Sequence, residues 1–228
     1  MRFPQLLRSI RLSLSVSVCM VLLAGFLVSS KADSEQATWI ELFDGKTLGN
    51  WVATNFGGEG NVEIEEGRIV LGFGGDLTGI TWKGALPRID YEVKLEARRE
   101  DGNDFFCGLT FPVNESFCSL ILGGWGGTVV GLSSIDGLDA SENETSRLMN
   151  FDRNQWYSVH LKVMQQRIQA WVDGTKIVDQ ELTGHKIGIR PEVELSRPFG
   201  LASWRTRAGL RKISLRKIVA KTAASAQP

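Results

Sequence analysis

Histidine is almost missing from this chain, with 2 in 228 residues, and cysteine is scarce at 3. Neither His160 nor His185 stands at ligand spacing from a cysteine, which argues against a metal centre of the His/Cys kind. Prolines number 6, and there is no Pro/Ser-rich linker, no long block of like charge in the body and no internal repeat. Nothing therefore divides the body into modules, and one domain is the economical reading. No span has a helical period. The glycine-rich stretch from Gly72 to Trp82 lacks a following Gly-Lys-Ser/Thr, so it is no phosphate loop. Lys and Arg balance Asp and Glu at 26 each.

The first 32 residues differ from the rest. Arg2, Arg8 and Arg11 form a basic start, Val16–Val28 is mostly apolar, and Ser30-Lys31-Ala32 offers small residues for signal-peptidase cleavage. Residues 1–32 are read as a signal peptide that directs the chain to the periplasm or the extracellular space. The alternative is a retained anchor, although the apolar run is shorter than the roughly 20 residues that span a bilayer. Cleavage removes Arg2, Arg8, Arg11 and Lys31 but no acid, leaving a mildly acidic chain without an integral membrane span. Such a charge gives no electrostatic reason to bind nucleic acid or anionic lipid. Residues 219–228 read as a frayed tail.

What is present is the pattern of β-strands. The 25 glycines, 7 tryptophans and 11 phenylalanines suit many short strands joined by tight turns. Tyr157, Val159, Leu161 and Val163 alternate with Trp156, Ser158, His160 and Lys162, the mark of a strand with one face buried. Ile168, Ala170 and Val172 repeat this alternation, and Asp173-Gly174 then supplies a hairpin turn. Ile89, Tyr91, Val93, Leu95 and Ala97 form a further inward set, and Glu65-Glu66-Gly67 a turn between two short strands. The chain reads as all-β, a sandwich of two antiparallel sheets.

Cys107 and Cys118 flank a turn region at Pro112-Val113-Asn114-Glu115. If Thr110 faces Glu115, counting places Cys107 opposite Cys118, about 4.5–5.5 Å apart at Cα and within disulfide range. The alternative is a pair of buried thiols.

Three motifs carry a family resemblance: LFDGKTLGNW at 42–51, WYSVHLKV with WVDG at 156–163 and 171–174, and RPFGLASW followed by AGLRKISLRKI at 197–218. Together they resemble the 3-keto-disaccharide hydrolase domain family over residues 39–218. The resemblance implies a concanavalin A-like jelly-roll β-sandwich and a carbohydrate substrate. It also implies cleavage of glycosides already oxidised to a ketone at C3. That ketone acidifies the C2 proton, so a base can trigger loss of the C1 oxygen, after which water adds. Such a site needs a base, an acid and a donor for the enolate.

The best local constellation is RPEVELSRP, residues 190–198. On a strand, Glu192 and Glu194 share a face about 6.6–6.8 Å apart, with Val193 and Leu195 turned into the core. Arg190 and Arg197 flank them, and Arg197 suits a developing enolate. Glu192, Glu194, Arg197 and His160 are the catalytic candidates, against a salt-bridged, solvated strand face as the bland reading. Asp104, Trp125, Asp136, Asp139, Glu142 and Arg190 are the substrate-binding candidates. The acidic loop from Asp136 to Glu144 could hold Ca²⁺ or sugar hydroxyls, although it lacks calcium-loop spacing. Asn143-Glu144-Thr145 fits a glycosylation acceptor, which matters only in a eukaryotic secretory route. Trp82, Trp125, Trp171 and Trp204 are candidate sugar platforms, and His185 a second candidate base. A non-catalytic carbohydrate-binding module is the alternative to an enzyme, and a structural envelope protein a third reading.

Overall fold

A computed structural model of the chain describes residues 37–219. The expected signal peptide and the tail beyond Val219 lie outside the described residues. In chain order the strands are β1 (Ile40–Glu41), β2 (Trp51–Ala53), β3 (Val62–Glu65), β4 (Arg68–Leu71) and β5 (Leu77–Trp82). They continue as β6 (Tyr91–Asp101), β7 (Cys107–Val113), β8 (Ser116–Gly124), β9 (Val129–Ser133) and β10 (Arg147–Leu148). The last five are β11 (Tyr157–Met164), β12 (Arg167–Val172), β13 (Thr175–Glu181), β14 (Gly200–Trp204) and β15 (Arg207–Lys217). A 3-10 helix, Pro191–Ser196, precedes β14.

These strands build two antiparallel sheets. The eight-stranded sheet has the order β13-β12-β11-β6-β15-β4-β3, with β1 also paired to β15. The seven-stranded sheet has the order β10-β9-β8-β7-β14-β5-β2. Between them lies the core, to which Val93, Leu95, Val159 and Leu161 of one sheet and Leu109, Leu120, Leu132 and Leu201 of the other all contribute. Each is at most 2% exposed, so each contributes roughly 1.5–3 kcal/mol over an exposed position.

The period-2 pattern drives this layering. Tyr157, Val159, Leu161 and Val163 are buried while the residues between them turn outward. Asp173 and Gly174, at φ 48° and 78°, make the two-residue turn between β12 and β13. Positive φ at both positions matches the twist of the flanking strands.

The cysteine hairpin has a different register from the one expected. Its turn is Asn114-Glu115, with Val113 facing Ser116, so Cys107 faces Leu122 and Cys118 faces Phe111. Thr110 faces Ser119, and their hydroxyls hydrogen-bond at 2.9 Å. The expected disulfide is thus not formed: both cysteines are free and buried. Burial pushes each thiol up to about 12.

Outward-facing tryptophans on the eight-stranded sheet sit under cations. Trp39 has Lys94 and Arg216 each 4.7 Å from its ring centroid. Trp156 lies between Arg98 at 4.6 Å and Arg211 at 4.0 Å. The same guanidiniums pair with Glu100, Glu96 and Glu92, a ladder of ion pairs across β6 and β15.

Candidate functional site

The outer face of the seven-stranded sheet has a floor of mostly small residues. Gly79, Ala202, Gly108, Ile121 and Gly131 stand in register across β5, β14, β7, β8 and β9. A second row runs Thr81, Gly200, Thr110, Ser119 and Ser133. Small side chains let covering segments approach closely. A Cβ on Gly200 would stand 2.6 Å from the Ser196 carbonyl oxygen, so the 3-10 helix can rest on the sheet there.

Above this floor lies a cleft of about 240 Å³, lined by Phe105, Ile121, Trp125, Val193 and Trp204 with Asp104, Ser119, Ser133, Arg190 and Glu192. Beside it is a polar recess of about 500 Å³, lined by Asp136, Asp139, Glu142, Lys186, Ser134 and Arg190 among others. Arg190 lines both chambers.

Arg190 is the electrostatic centre of the junction. Its Nη2 and Nε donate to the two Glu192 carboxylate oxygens at 2.7 and 3.3 Å, and its Nη1 to Asp139 at 2.7 Å. The Arg190 hydrogen bond holds the Glu192 carboxyl below the usual carboxylate range, and Glu192 in turn raises Arg190. Glu192 is therefore ionised at neutral pH, which suits a base and not an acid. Asp139 also accepts the Ser141 amide and hydroxyl at 2.9 and 2.6 Å.

Trp125 stands on the loop between β8 and β9, 41% exposed and at φ 48°. Two residues pin that loop. Asp104 accepts the Gly126 amide at 3.2 Å and its own neighbour's amide, Phe105, at 2.7 Å. Arg99, 8% exposed, donates from Nη2 to the carbonyls of Gly123 and Gly127 at 3.2 and 2.9 Å. Burial pulls Arg99 below the usual guanidinium range, and the charge of Asp104 opposes this. Ser133 contributes a buried hydroxyl with no hydrogen-bond partner.

The acidic loop is held by its own chain. Asn143, 5% exposed, donates to the carbonyls of Leu132, Asp139 and Leu138 and accepts from Thr145. Its amide is fully engaged, which makes Asn143 a structural clamp of the loop. Asp136 accepts from His185 Nδ1 and from the Lys186 amide, both at 2.7 Å. The Asp136 hydrogen bond raises His185, with Glu144 at 3.8 Å adding to it. Among the described residues no three His, Cys, Asp or Glu side chains gather as a cluster.

Eight sequence candidates thus line the two chambers as a connected surface: Asp104, Trp125, Asp136, Asp139, Glu142, Arg190, Glu192 and Trp204. Others do not. Residues 191–196 form a 3-10 helix instead of a strand, so Glu192 and Glu194 do not share a face. Val193 is buried as expected, but Leu195 is 56% exposed. Glu194 pairs with Arg197, whose guanidinium sits over Phe117 at 5.2 Å, and neither residue lines the chambers. His160 projects from the outer face of the opposite sheet, stacked on Trp171 at 4.8 Å. It lies 3.4 Å from Glu92 without forming a hydrogen bond, and desolvation lowers its pKa. Trp171 accompanies His160, while Trp82 packs edge-on against Trp51 in the core at 5.1 Å.

Phe105, Ile121, Ser119, Ser133 and Arg99 complete the site without having been singled out from sequence, and Val193 was expected only as a core residue. Only Arg99 left a signal, a charged residue in phase with the inward set of β6.

A family model described as the 3-keto-alpha-glucoside-1,2-lyase-like domain matches residues 38–218. The chain belongs to that family. Similar solved structures share the sandwich at low identity. A candidate glycosyl hydrolase from Parabacteroides distasonis is 16% identical, with 79% of this chain and 94% of that chain covered and a TM-score of 0.50. Domain 4 of AbnA, a GH43 extracellular arabinanase from Geobacillus stearothermophilus solved with arabinotriose, is 13% identical, with coverage of 80% and 92% and a TM-score of 0.50. The Crh5 transglycosylase is 11% identical, with coverage of 82% and 86% and a TM-score of 0.53. No curated protein matches the sequence. Membership of the 3-keto-alpha-glucoside-1,2-lyase-like family makes this a carbohydrate-active domain on a concanavalin A-like sandwich.

Proposed function

We propose that the two chambers bind a glycoside oxidised at C3 and that Arg190 and Glu192 cleave it by elimination. The observation that carries this reading is the two-point Arg190–Glu192 pair at the chamber junction in a chain of this family. The ketone oxygen of the substrate takes N–H groups of Arg190 that Glu192 otherwise occupies. Losing those bonds restores basicity to Glu192 as the substrate arrives. Glu192 then removes the C2 proton, and the guanidinium stabilises the enolate oxygen. Collapse of the enolate restores the C3 ketone, forms the C1–C2 double bond and breaks the bond from C1 to the leaving oxygen, which takes a proton from water. Addition of water across the new double bond completes a net hydrolysis.

The basic and apolar start of the chain supports export, so the substrate would be met outside the cytoplasm. A second reading, sugar binding without chemistry, is favoured by Trp125 standing exposed over an apolar floor while both Arg190 partners are held in ion pairs. Assays of 3-keto and unoxidised glucosides side by side separate the two. Cleavage of the oxidised sugar alone, reduced at least tenfold in Glu192→Gln, supports elimination. Saturable binding of either sugar without turnover supports the binding module.

A further inference from the structure

The two chambers differ in chemistry, and that difference bears on which glycoside fits. We propose that the cleft is a leaving-group site for an apolar ring, so that the preferred substrate is an aryl or arylalkyl glycoside. This rests on the reading that the neighbouring recess holds the oxidised sugar.

Five apolar side chains form the walls of the cleft: Phe105, Ile121, Trp125, Val193 and Trp204. They come from three strand or helix elements and two loops, and Phe105 joins the satellite cluster under the 3-10 helix to the cluster around Ile121. The polar atoms nearby are mostly taken. Ser119 is bound to Thr110, and Asp104 holds the amides of Phe105 and Gly126. Arg190 and Glu192 stand at the junction with the recess. Ser133 remains, a hydroxyl on a residue 1% exposed, without a partner.

A pyranose carries a hydroxyl on most of its carbons, and each one desolvated without a partner is costly. Beyond the indole N–H groups of Trp125 and Trp204, the cleft offers few partners to such a ring. An aromatic ring makes no such demand and would pack against Phe105 and Trp204. Volume agrees: the cleft holds about 240 Å³, and an apolar cavity of about 150 Å³ accepts benzene. The recess has the opposite character, lined by Asp136, Asp139, Glu142, Lys186 and Ser134.

Benzyl and methyl 3-ketoglucosides provide the test, because their leaving alkoxides are closely matched in basicity and differ in the ring. A 3-keto-disaccharide serves as the reference. The expected result is a kcat/KM at least tenfold higher for the benzyl compound than for the methyl one. In Trp204→Leu and Val193→Ala that ratio should fall towards one, with near-UV circular dichroism reporting the fold. Equal kcat/KM for benzyl and methyl in the wild type, with the disaccharide cleaved, overturns the apolar leaving-group site and leaves the elimination reading intact. Cleavage of none of the three overturns both. If a variant does not fold, the wild-type ratio decides alone.

Discussion

Arg190 grips Glu192 at both carboxylate oxygens, at 2.7 and 3.3 Å, while its remaining amino group holds Asp139. In the proposed elimination this pair keeps Glu192 charged until the substrate's ketone oxygen takes the guanidinium, so that power and restraint would reside in one contact.

Removing the guanidinium should change the pH profile and the rate together. Glu192 is lowered chiefly by its bond to Arg190. In Arg190→Gln its pKa should rise, moving the acidic limb of kcat/KM to higher pH. Turnover of a 3-ketoglucoside should also fall at least tenfold, because the enolate loses its cation. An unmoved limb would detach Glu192 from the rate.

His185 should titrate above its ordinary value, because Asp136 bonds its protonated ring. A raised folded pKa means that the stabilisation from this contact is fully present below the unfolded pKa, about 6.5, and is lost as pH rises through the folded value. Hydrogen exchange at the Lys186 amide should accelerate over that window beyond its intrinsic base-catalysed rise. In Asp136→Asn the His185 titration, followed by NMR, should shift down.

Both cysteines should resist modification in the native state. Burial raises each thiol to about 12, so almost no thiolate exists at neutral pH. Iodoacetamide should label Cys107 and Cys118 in denaturant and leave them intact without it. An intact mass lower by two hydrogens, restored by reductant, would show a disulfide after all.

Arg99→Met should cost about 1–3 kcal/mol in urea unfolding, because it leaves buried carbonyl oxygens of Gly123 and Gly127 without a donor. The same change should speed hydrogen exchange across residues 123–127. A stability equal to wild type would mean that water replaces the guanidinium.

The sheets were legible because Tyr91–Ala97 and Tyr157–Val163 alternate cleanly, and burial on one face leaves a strand little choice. The cysteine register was not. Moving the pairing of Cys107 from Cys118 to Leu122 is a shift by an even number, so both registers keep the same residues inward. The choice lies in turn length, which Pro112-Val113-Asn114-Glu115 does not settle locally. Chemistry-bearing residues around Arg190 and Asp139 were legible as polar residues without a period. Glu194 was misplaced because a strand and a 3-10 turn divide Glu192 from it in opposite ways. Ser133 stood out only once packing had closed around it.

The cations over Trp39 and Trp156 have a consequence for spectroscopy. Of the 7 tryptophans, Trp51 and Trp82 pack together in the core. Trp39, Trp156 and Trp171 are each covered by a Lys, Arg or His on the far sheet. Trp125 and Trp204 alone line the cleft. Intrinsic emission is therefore a partly divided signal: a ligand in the cleft perturbs Trp125 and Trp204, and salt, by loosening the ion pairs, perturbs the three on the opposite side together with Trp204, over which Arg205 sits at 5.6 Å.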